Sequence, residues 1–251
     1  MSEVSGSIDR GDGVQLAYRL IAGRTPGVIF LGGFNSDMTG SKPADLAAFC
    51  AEQGHAFLRF DYSGHGASGG SFAEGTIGRW LDDATLMLDR LSAGPVVLVG
   101  SSMGGWIALL LALRRPQRVA ALVGIAAAPD FTTRIDAMLP PQAREEMDRT
   151  GVWLRPSQYG APFPIARALL EEGRRHLLLH QPIPLGIPVR LLHGQQDPDV
   201  PWQHSITVAE RIAGPDVQVR LVKDGDHRLS TPRDLALLRQ EVASLLGQDR
   251  G

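Results

Sequence analysis

Short apolar runs alternate with helix-length segments along most of the chain. The apolar runs are rich in aliphatic and β-branched residues and predict strands at 27–33, 56–64, 95–100, 119–128, 187–194 and 217–225. The segments between them predict helices over 42–55, 76–93, 105–116, 203–213 and 231–247. Because the strands are apolar throughout and are separated by helices, we expect an α/β fold with a mostly parallel sheet and helices on both faces.

Two regions depart from this alternation. Extended pieces at 3–9 and 14–20 flank the turn RGDG, which predicts a hairpin that enters the sheet. Residues 129–186 separate two predicted strands and are far longer than an ordinary crossover. Their proline-rich but apolar sequence predicts a helical lid inserted after the sixth strand. We therefore expect one domain, with a core at 1–128 and 187–251 and this lid segment at 129–186.

Composition narrows the possible functions. The 251 residues are 43% hydrophobic with a net charge of −2, which gives no reason to expect nucleic acid or an anionic membrane as a partner. Cys50 is the only cysteine, which excludes an intramolecular disulfide and a zinc site built on several cysteines. Apolar runs such as 106–113 are far shorter than the ~20 residues that span a bilayer. The N-terminus lacks the features of a secretory signal, so we expect a cytoplasmic protein without stable membrane insertion and leave its oligomeric state open.

The segment GHGASG at 64–69 matches the glycine pattern of dinucleotide-binding turns. Its context argues against that function, because one strand–helix unit already precedes the match. The next strand also ends in Gly100, Ser101 and Ser102 rather than in the acidic residue that would bind the ribose. We interpret these glycines as a loop that bends close to its neighbours, and we expect no organic cofactor and no metal.

The segment GSSMG at 100–104 carries the strongest chemical signal. It fits the pattern G-x-S-x-G and lies between a predicted strand and a predicted helix, as this pattern requires. A serine on such a turn projects its hydroxyl from the edge of the sheet, and the strained backbone leaves no room for side chains two residues away on either side. Glycines stand at those positions around Ser102, whereas Val99 and Met103 would flank Ser101. Ser102 is therefore the candidate nucleophile.

A serine hydroxyl at neutral pH needs a base, and the base needs a carboxylate that orients it. After a G-x-S-x-G turn these partners follow in the order acid, then histidine, each after a later strand. His227 is the histidine that follows the final predicted strand and precedes the last helix. Asp197 and Asp199 both follow the strand at 187–194, and the spacing HG-x-x-D-x-x-VP favours Asp197 as the acid. Asp199 stays the alternative.

Two backbone N–H groups are needed to bind the oxyanion of an acyl-transfer reaction. We expect one from Met103, at the start of the helix after the nucleophile, and the other from Phe34, in the glycine-containing loop at 31–40. Apolar residues of the lid segment could line an acyl pocket, although ordinary packing is the simpler account of any single one: Phe131, Met138, Leu139, Trp153, Tyr159 and Phe163. Among them, Trp153 and Tyr159 are the candidate substrate-binding residues.

These features together resemble the α/β-hydrolase family over nearly the whole chain. Five segments are similar to a narrower group, the abhydrolase-domain palmitoyl-protein thioesterases, also known as mycophenolic acid acyl-glucuronide esterases: GFNSDMTG (33–40), FCAEQGHAFLRFDYSGHGAS (49–68), VGSSMGGW (99–106), GVWLRPSQY (151–159) and RLLHGQQDPDVPW (190–202). The resemblance implies Ser102 as nucleophile, Asp197 as acid and His227 as base. It also implies hydrolysis of acyl esters or thioesters, including S-acylated cysteines and acyl glucuronides. Animal members carry a mitochondrial transit peptide, which this sequence lacks, so we expect a bacterial relative.

The expected function is that of a serine esterase or thioesterase acting on small molecules or S-acylated proteins through an acyl-enzyme. Two alternatives are weaker. A serine peptidase on the same fold would be accompanied by an added propeller or an acidic pair that anchors an amine, and the sequence shows neither. A non-catalytic binding module of hydrolase-like fold need not keep all three candidate residues, whereas all three are present here.

Overall fold

A central sheet of eight strands organises the chain in the computed structural model, which describes residues 2–156 and 162–247. The strands in chain order are β1 (Glu3–Asp9), β2 (Gln15–Ile21), β3 (Arg24–Leu31), β4 (His55–Phe60), β5 (Val96–Ser101), β6 (Val119–Ile125), β7 (Val152–Arg155), β8 (Phe163–Ala166), β9 (Val189–Gly194) and β10 (Val217–Val222). The helices are α1 (Ser41–Gln53), α2 (Ile77–Leu91), α3 (Met103–Arg114), α4 (Phe131–Met138), α5 (Pro141–Thr150), α6 (Arg167–Gly173), α7 (Gln203–Arg211) and α8 (Pro232–Leu246). Single 3₁₀ turns occur at 72–74 and 174–176.

The sheet strands lie side by side in the order β1-β2-β4-β3-β5-β6-β9-β10. All neighbours from β4 to β10 are parallel, whereas β2 runs antiparallel to both β1 and β4. Parallel neighbours need crossover connections, and helices supply most of them. The mostly parallel sheet flanked by helices is confirmed, and the predicted N-terminal hairpin forms one edge of it.

Two hydrophobic clusters cover the two faces of the sheet. On one face, α2 and α3 bury large side chains such as Trp80 and Trp106, both without exposed surface. On the other face, α1 and α8 contribute Leu46, Leu238 and Val242. Each fully buried side chain of this size stabilises the fold by roughly 1.5–3 kcal/mol.

Helix α3 is the most deeply buried helix of the core and begins directly after the strand that holds the serine turn. All of its residues from Met103 to Ala112 are buried, because it packs against β5, β6 and β3 and against α2. A helix enclosed in this way cannot shift easily, so its N-terminus is a fixed point at the edge of the sheet. Among the described residues, none of the helices combines the length and apolar character needed to cross a membrane.

The lid segment contains more than helices. Between β6 and β9 the chain forms α4, α5, the antiparallel two-stranded ribbon β7–β8, and α6. We predicted a mostly helical insertion, and the ribbon is the difference. Each ribbon strand is only four residues long, and Gly151 with φ 78° ends α5 immediately before it. Four residues are too few to show the alternation by which strands are recognised in a sequence.

Candidate active site

Ser102 occupies a strained corner between β5 and α3. Its backbone has φ 54° and ψ −116°, and a residue with a side chain rarely adopts such a positive φ. A Cβ on Gly100 would lie 2.3 Å from the Gly104 carbonyl oxygen, and a Cβ on Gly104 would lie 2.0 Å from the Leu31 carbonyl oxygen. Because both obstacles are backbone atoms, the corner requires glycine at the two positions.

His227 reaches Ser102 from the loop after β10. Its Nε2 lies 3.2 Å from the Ser102 Oγ, and its Nδ1 lies 2.7 Å from Oδ2 of Asp197, which follows β9. An ionised carboxylate only accepts hydrogen bonds, so Nδ1 carries the proton. Nε2 then holds the lone pair that accepts the Ser102 hydroxyl hydrogen. The three residues therefore form one hydrogen-bonded chain at the carboxyl edge of the sheet.

Both carboxylate oxygens of Asp197 are occupied. Oδ1 accepts the backbone N–H groups of Asp199 and Val200, each at 2.8 Å, and Oδ2 accepts from the rings of His227 at 2.7 Å and His193 at 3.1 Å. Burial alone would raise the pKa of Asp197, but these hydrogen bonds outweigh it and hold the pKa well below its usual range. Asp197 is thus an anion near neutral pH. Asp199, the alternative acid, enters this network through its N–H and not through its carboxylate.

His193 is a supporting residue that the sequence analysis did not identify. It lies near the end of β9 and is fully buried. Its Nε2 faces two acceptors, Oδ2 of Asp197 at 3.1 Å and the Val200 carbonyl at 3.0 Å, so this nitrogen carries the proton. Its Nδ1 accepts the Ser205 hydroxyl at 2.7 Å. The pattern HG-x-x-D already contained His193, because this histidine precedes Asp197 by four residues.

The loop after β3 lies against the serine corner. A Cβ on Gly33 would lie 3.3 Å from the Ser101 carbonyl oxygen and 3.5 Å from the Ser102 Cβ, which shows how closely the two backbones approach. Phe34 and Met103 both line the cavity beside Ser102. Within the described parts of the chain, neither of their N–H groups donates to a protein acceptor, so both are available to an oxygen atom of a ligand.

The glycine segment at 64–69 supports this loop. Gly66 has φ 47°, and a Cβ there would lie 2.2 Å from the Asp61 carboxylate. His65 beside it is buried, and its Nε2 accepts the Asn35 N–H at 3.3 Å. Burial lowers the pKa of His65 to about 4, so the ring is neutral at pH 7 and keeps this lone pair. His65 therefore anchors the residue next to Phe34, a role the sequence analysis missed.

A cavity of about 510 Å³ opens beside Ser102 and His227. Its volume falls within the range of small-molecule sites. The core contributes the loop after β3, the serine corner and the loop that carries His227. The lid segment contributes Phe131, Arg134, Ile135, Arg155, Pro156 and Phe163. The cavity is therefore lined by both parts of the chain and has a mixed apolar and charged wall.

The ring of Phe34 joins these two parts. It makes edge-on contacts with Phe131 and Phe163 of the lid segment, with centroids 5.8 and 5.6 Å away. It makes similar contacts with Phe72 and Trp80 of the core, at 4.9 and 5.7 Å. Aromatic pairs in this geometry contribute about 0.5–1.5 kcal/mol each beyond their burial.

Two of the apolar residues expected to line a pocket in the lid segment do so, and three do not. Phe131 and Phe163 line the cavity. Leu139 belongs to a separate buried cluster between α5 and β8, Trp153 packs against that cluster, and Met138 is 73% exposed. Trp153, a candidate substrate-binding residue, is thus a packing residue here, because β7 lies against α5. Tyr159 falls outside the described residues.

Asp197, Asp199 and His227 offer possible metal ligands within 4.8 Å of one another. Asp197 and His227 already bond to each other, because Oδ2 of Asp197 lies 2.7 Å from Nδ1 of His227. The second oxygen of Asp197 already accepts two backbone N–H groups. A cation would have to displace these bonds, so the donor set fits proton transfer better than metal binding.

Comparison with known proteins adds independent findings. Residues 26–161 match the family described as the alpha/beta hydrolase fold. The mouse mitochondrial palmitoyl-protein thioesterase is 46% identical over 241 residues, covering 95% of this chain and 81% of that protein. The structure of alpha/beta hydrolase domain-containing protein 10 from mouse has a TM-score of 0.89 at 46% identity and covers 96% of this chain and 98% of that chain. A crystal structure from Agrobacterium vitis S4, described in general terms as a hydrolase, has a TM-score of 0.94 at 40% identity and covers 98% and 100% of the two chains.

Proposed function

The chain belongs to the α/β-hydrolase family, and on this premise we propose that it is a serine hydrolase that cleaves acyl esters or thioesters. One observation carries the proposal, namely the hydrogen-bonded chain from the Ser102 hydroxyl through His227 to Asp197 at the wall of a cavity. Ser102 is the nucleophile, His227 the general base and acid, and Asp197 the carboxylate that orients the ring. The lid segment, residues 129–186, covers the acyl group during the reaction.

Acylation begins when the substrate carbonyl carbon lies next to the Ser102 Oγ. His227 Nε2 takes the hydroxyl proton as Oγ forms a bond to that carbon, and the ring becomes positively charged. The Asp197 carboxylate stabilises this charge. The carbonyl oxygen becomes an oxyanion and accepts hydrogen bonds from the Phe34 and Met103 N–H groups, with additional stabilisation from the positive end of the α3 dipole. Collapse of the intermediate breaks the bond to the leaving alcohol or thiol, which takes the proton from His227.

Deacylation repeats these steps with water. His227 Nε2 takes a proton from the water molecule as its oxygen attacks the acyl carbon, and the same two N–H groups stabilise the second oxyanion. The bond to Ser102 Oγ then breaks, Oγ recovers the proton from His227, and the carboxylic acid leaves. Every proton transfer in these steps uses a group of the protein.

Relatives support the substrate class. The mouse relative at 46% identity is named a palmitoyl-protein thioesterase, which favours acyl thioesters among the possible substrates. The phenylalanine rings of the cavity wall suit an acyl chain. The mouse relative is also named as a mitochondrial protein. For this chain the cytoplasm stays our prediction, which subcellular fractionation tests.

Two neighbouring serines provide a matched test. Ser102→Ala removes the nucleophile and should lower kcat on p-nitrophenyl esters by a factor on the order of 10⁵ to 10⁶. It should also abolish labelling by a fluorophosphonate probe. Ser101→Ala, the control on the same turn, should turn over substrate and label normally. Labelling that persists in Ser102→Ala would overturn the assignment of the nucleophile.

The same assay separates the alternative functions. A wild-type protein that neither hydrolyses esters and thioesters nor reacts with the probe would be a binding module. Cleavage of peptide amides in preference to esters would identify a peptidase. A series of acyl esters and thioesters of increasing chain length then defines the substrate preference.

A further inference from the structure

Two arginines of the lid segment line the same cavity as Ser102. Arg134 lies in α4 and Arg155 ends β7, and both are half-buried. The Arg155 guanidinium lies over the ring of Phe163, with its Cζ 5.9 Å from the ring centroid. This contact holds the cation at the cavity wall, because the face of an aromatic ring attracts positive charge.

Arg134 has no partner of opposite charge within hydrogen-bonding distance among the described residues. The more deeply buried Arg59 and Arg190 do have one. Arg59 forms two hydrogen bonds with the Glu3 carboxylate, and Arg190 forms two with that of Asp216. Arg134 is only half-buried, so its guanidinium faces the cavity, where a carboxylate of a ligand can supply the partner that the described residues do not.

The charges around Arg134 are mixed. Burial lowers the pKa of Arg134, the neighbouring Arg155 lowers it further, and the Asp197 and Asp199 carboxylates only partly offset these effects. Both carboxylate oxygens of Asp197 also already accept hydrogen bonds from other groups. Arg134 and Arg155 thus repel each other at the cavity wall, and a bound anion would relieve this repulsion.

We propose that Arg134 and Arg155 form an anion-binding subsite that selects acyl esters or thioesters carrying a carboxylate. A guanidinium is planar and presents its N–H donors in a fork that matches a carboxylate. The apolar part of the substrate lies against Phe34, Phe131 and Phe163 of the same cavity. This inference rests on the proposed function, since it names the substrates that the Ser102 site prefers.

Matched substrates test the preference. p-Nitrophenyl adipate monoester carries a carboxylate on the acyl side, and p-nitrophenyl hexanoate is its neutral counterpart. The hexanoyl thioesters of 3-mercaptopropanoate and 3-mercaptopropanamide make the same comparison on the leaving-group side. We expect kcat/KM about 10- to 100-fold higher for the anionic member of at least one pair, the size of a charge-assisted hydrogen bond. Equal values in both pairs would overturn the proposal.

Variants identify the residues responsible. Arg134→Gln should lower kcat/KM for the preferred anionic substrate by about 10- to 100-fold and leave the neutral one unchanged. Arg155→Gln should act in the same direction, and Arg134→Lys should keep part of the preference. Arg149→Gln is the control, because Arg149 is an exposed arginine of the same lid segment outside the cavity. An equal loss on both substrates would show that Arg134 acts through packing and would overturn its role.

Direct binding separates this inference from the proposed reaction. Calorimetric titration of the Ser102→Ala protein with the intact members of both substrate pairs needs no turnover. The anionic member of the preferred pair should bind more tightly, and the difference should disappear in the Ser102→Ala/Arg134→Gln double variant. Equal affinities within both pairs would overturn the subsite even if hydrolysis occurs. A lack of hydrolysis and of probe labelling in the wild type would overturn the proposed function alone.

Discussion

Replacing Asp197 by asparagine tests the hydrogen-bonded chain at its buried end. The substitution keeps the shape of the side chain but turns one acceptor oxygen into an NH₂ donor. Oδ1 faces the backbone N–H groups of Asp199 and Val200, which can only donate. The amide oxygen must therefore take the Oδ1 position, and the NH₂ group must face the rings of His227 and His193. The geometry thus dictates the orientation of the new amide.

This orientation changes which ring nitrogen of His227 carries the proton. An NH₂ donor beside Nδ1 requires Nδ1 to become an acceptor, which moves the ring proton to Nε2. Nε2 can then no longer take the hydroxyl proton of Ser102. In serine proteases the same change of tautomer lowers kcat by about 10⁴, equivalent to about 5.5 kcal/mol of transition-state stabilisation. We expect a loss of that order here.

The assay compares two variants on p-nitrophenyl esters. Asp197→Asn should lose about 10⁴ in kcat, with thermal unfolding measured to show that the protein is folded. Asp199→Asn should stay within about tenfold of the wild type, because only the backbone N–H of Asp199 takes part in the network. A nearly active Asp197→Asn with an inactive Asp199→Asn would refute this reasoning and assign the acid to Asp199.

Three further outcomes follow from the same region. Gly104→Ala should lower the urea midpoint of unfolding by an amount equivalent to about 1–3 kcal/mol or more. Gly186→Ala is the control, because a Cβ there would meet nothing within 4 Å, and it should leave the midpoint unchanged. Equal midpoints for the two variants would contradict the steric argument. Ser205→Ala removes the donor to His193 and should lower kcat about tenfold with little change in KM; a change in KM alone would count against this positioning role. His65 has a folded-state pKa of about 4, below its unfolded value near 6.5. The unfolded chain binds more protons between these values, so wild-type stability should fall from pH 6.5 to 4, and more steeply than that of His65→Gln; equal slopes in urea titrations would contradict it.

The alternation of apolar and helical segments was enough to predict most of the sheet. The strand predicted at 95–100 is Val96–Ser101, and the helix predicted at 231–247 is Pro232–Leu246. Both signals are strong because a strand buried on both faces is apolar throughout and a helix repeats its apolar face with a fixed period. The positions of Ser102, Asp197 and His227 could be predicted in the same way, because each residue follows the carboxyl end of a predicted strand.

Features that depend on contacts between distant elements could not be predicted. His193 looks like any polar residue at a strand end until its ring is found between Asp197 and Ser205. Arg134 and Arg155 lie on different elements of the lid segment, and only the folded structure brings them to one cavity. Trp153 was expected at the pocket because it is large and apolar, yet these properties suit packing equally well.

The ring contacts of Phe34 constrain how such a protein can be re-engineered or can diverge. The residue whose N–H faces the reacting oxygen in the proposed mechanism is held by two rings that belong to the inserted segment. An insertion transplanted from another hydrolase would have to place aromatic rings at the same two positions. Otherwise Phe34 would keep only its contacts with Phe72 and Trp80. Substrate preference can therefore be exchanged through the rest of the insertion, while these two aromatic positions must be inherited together with the core.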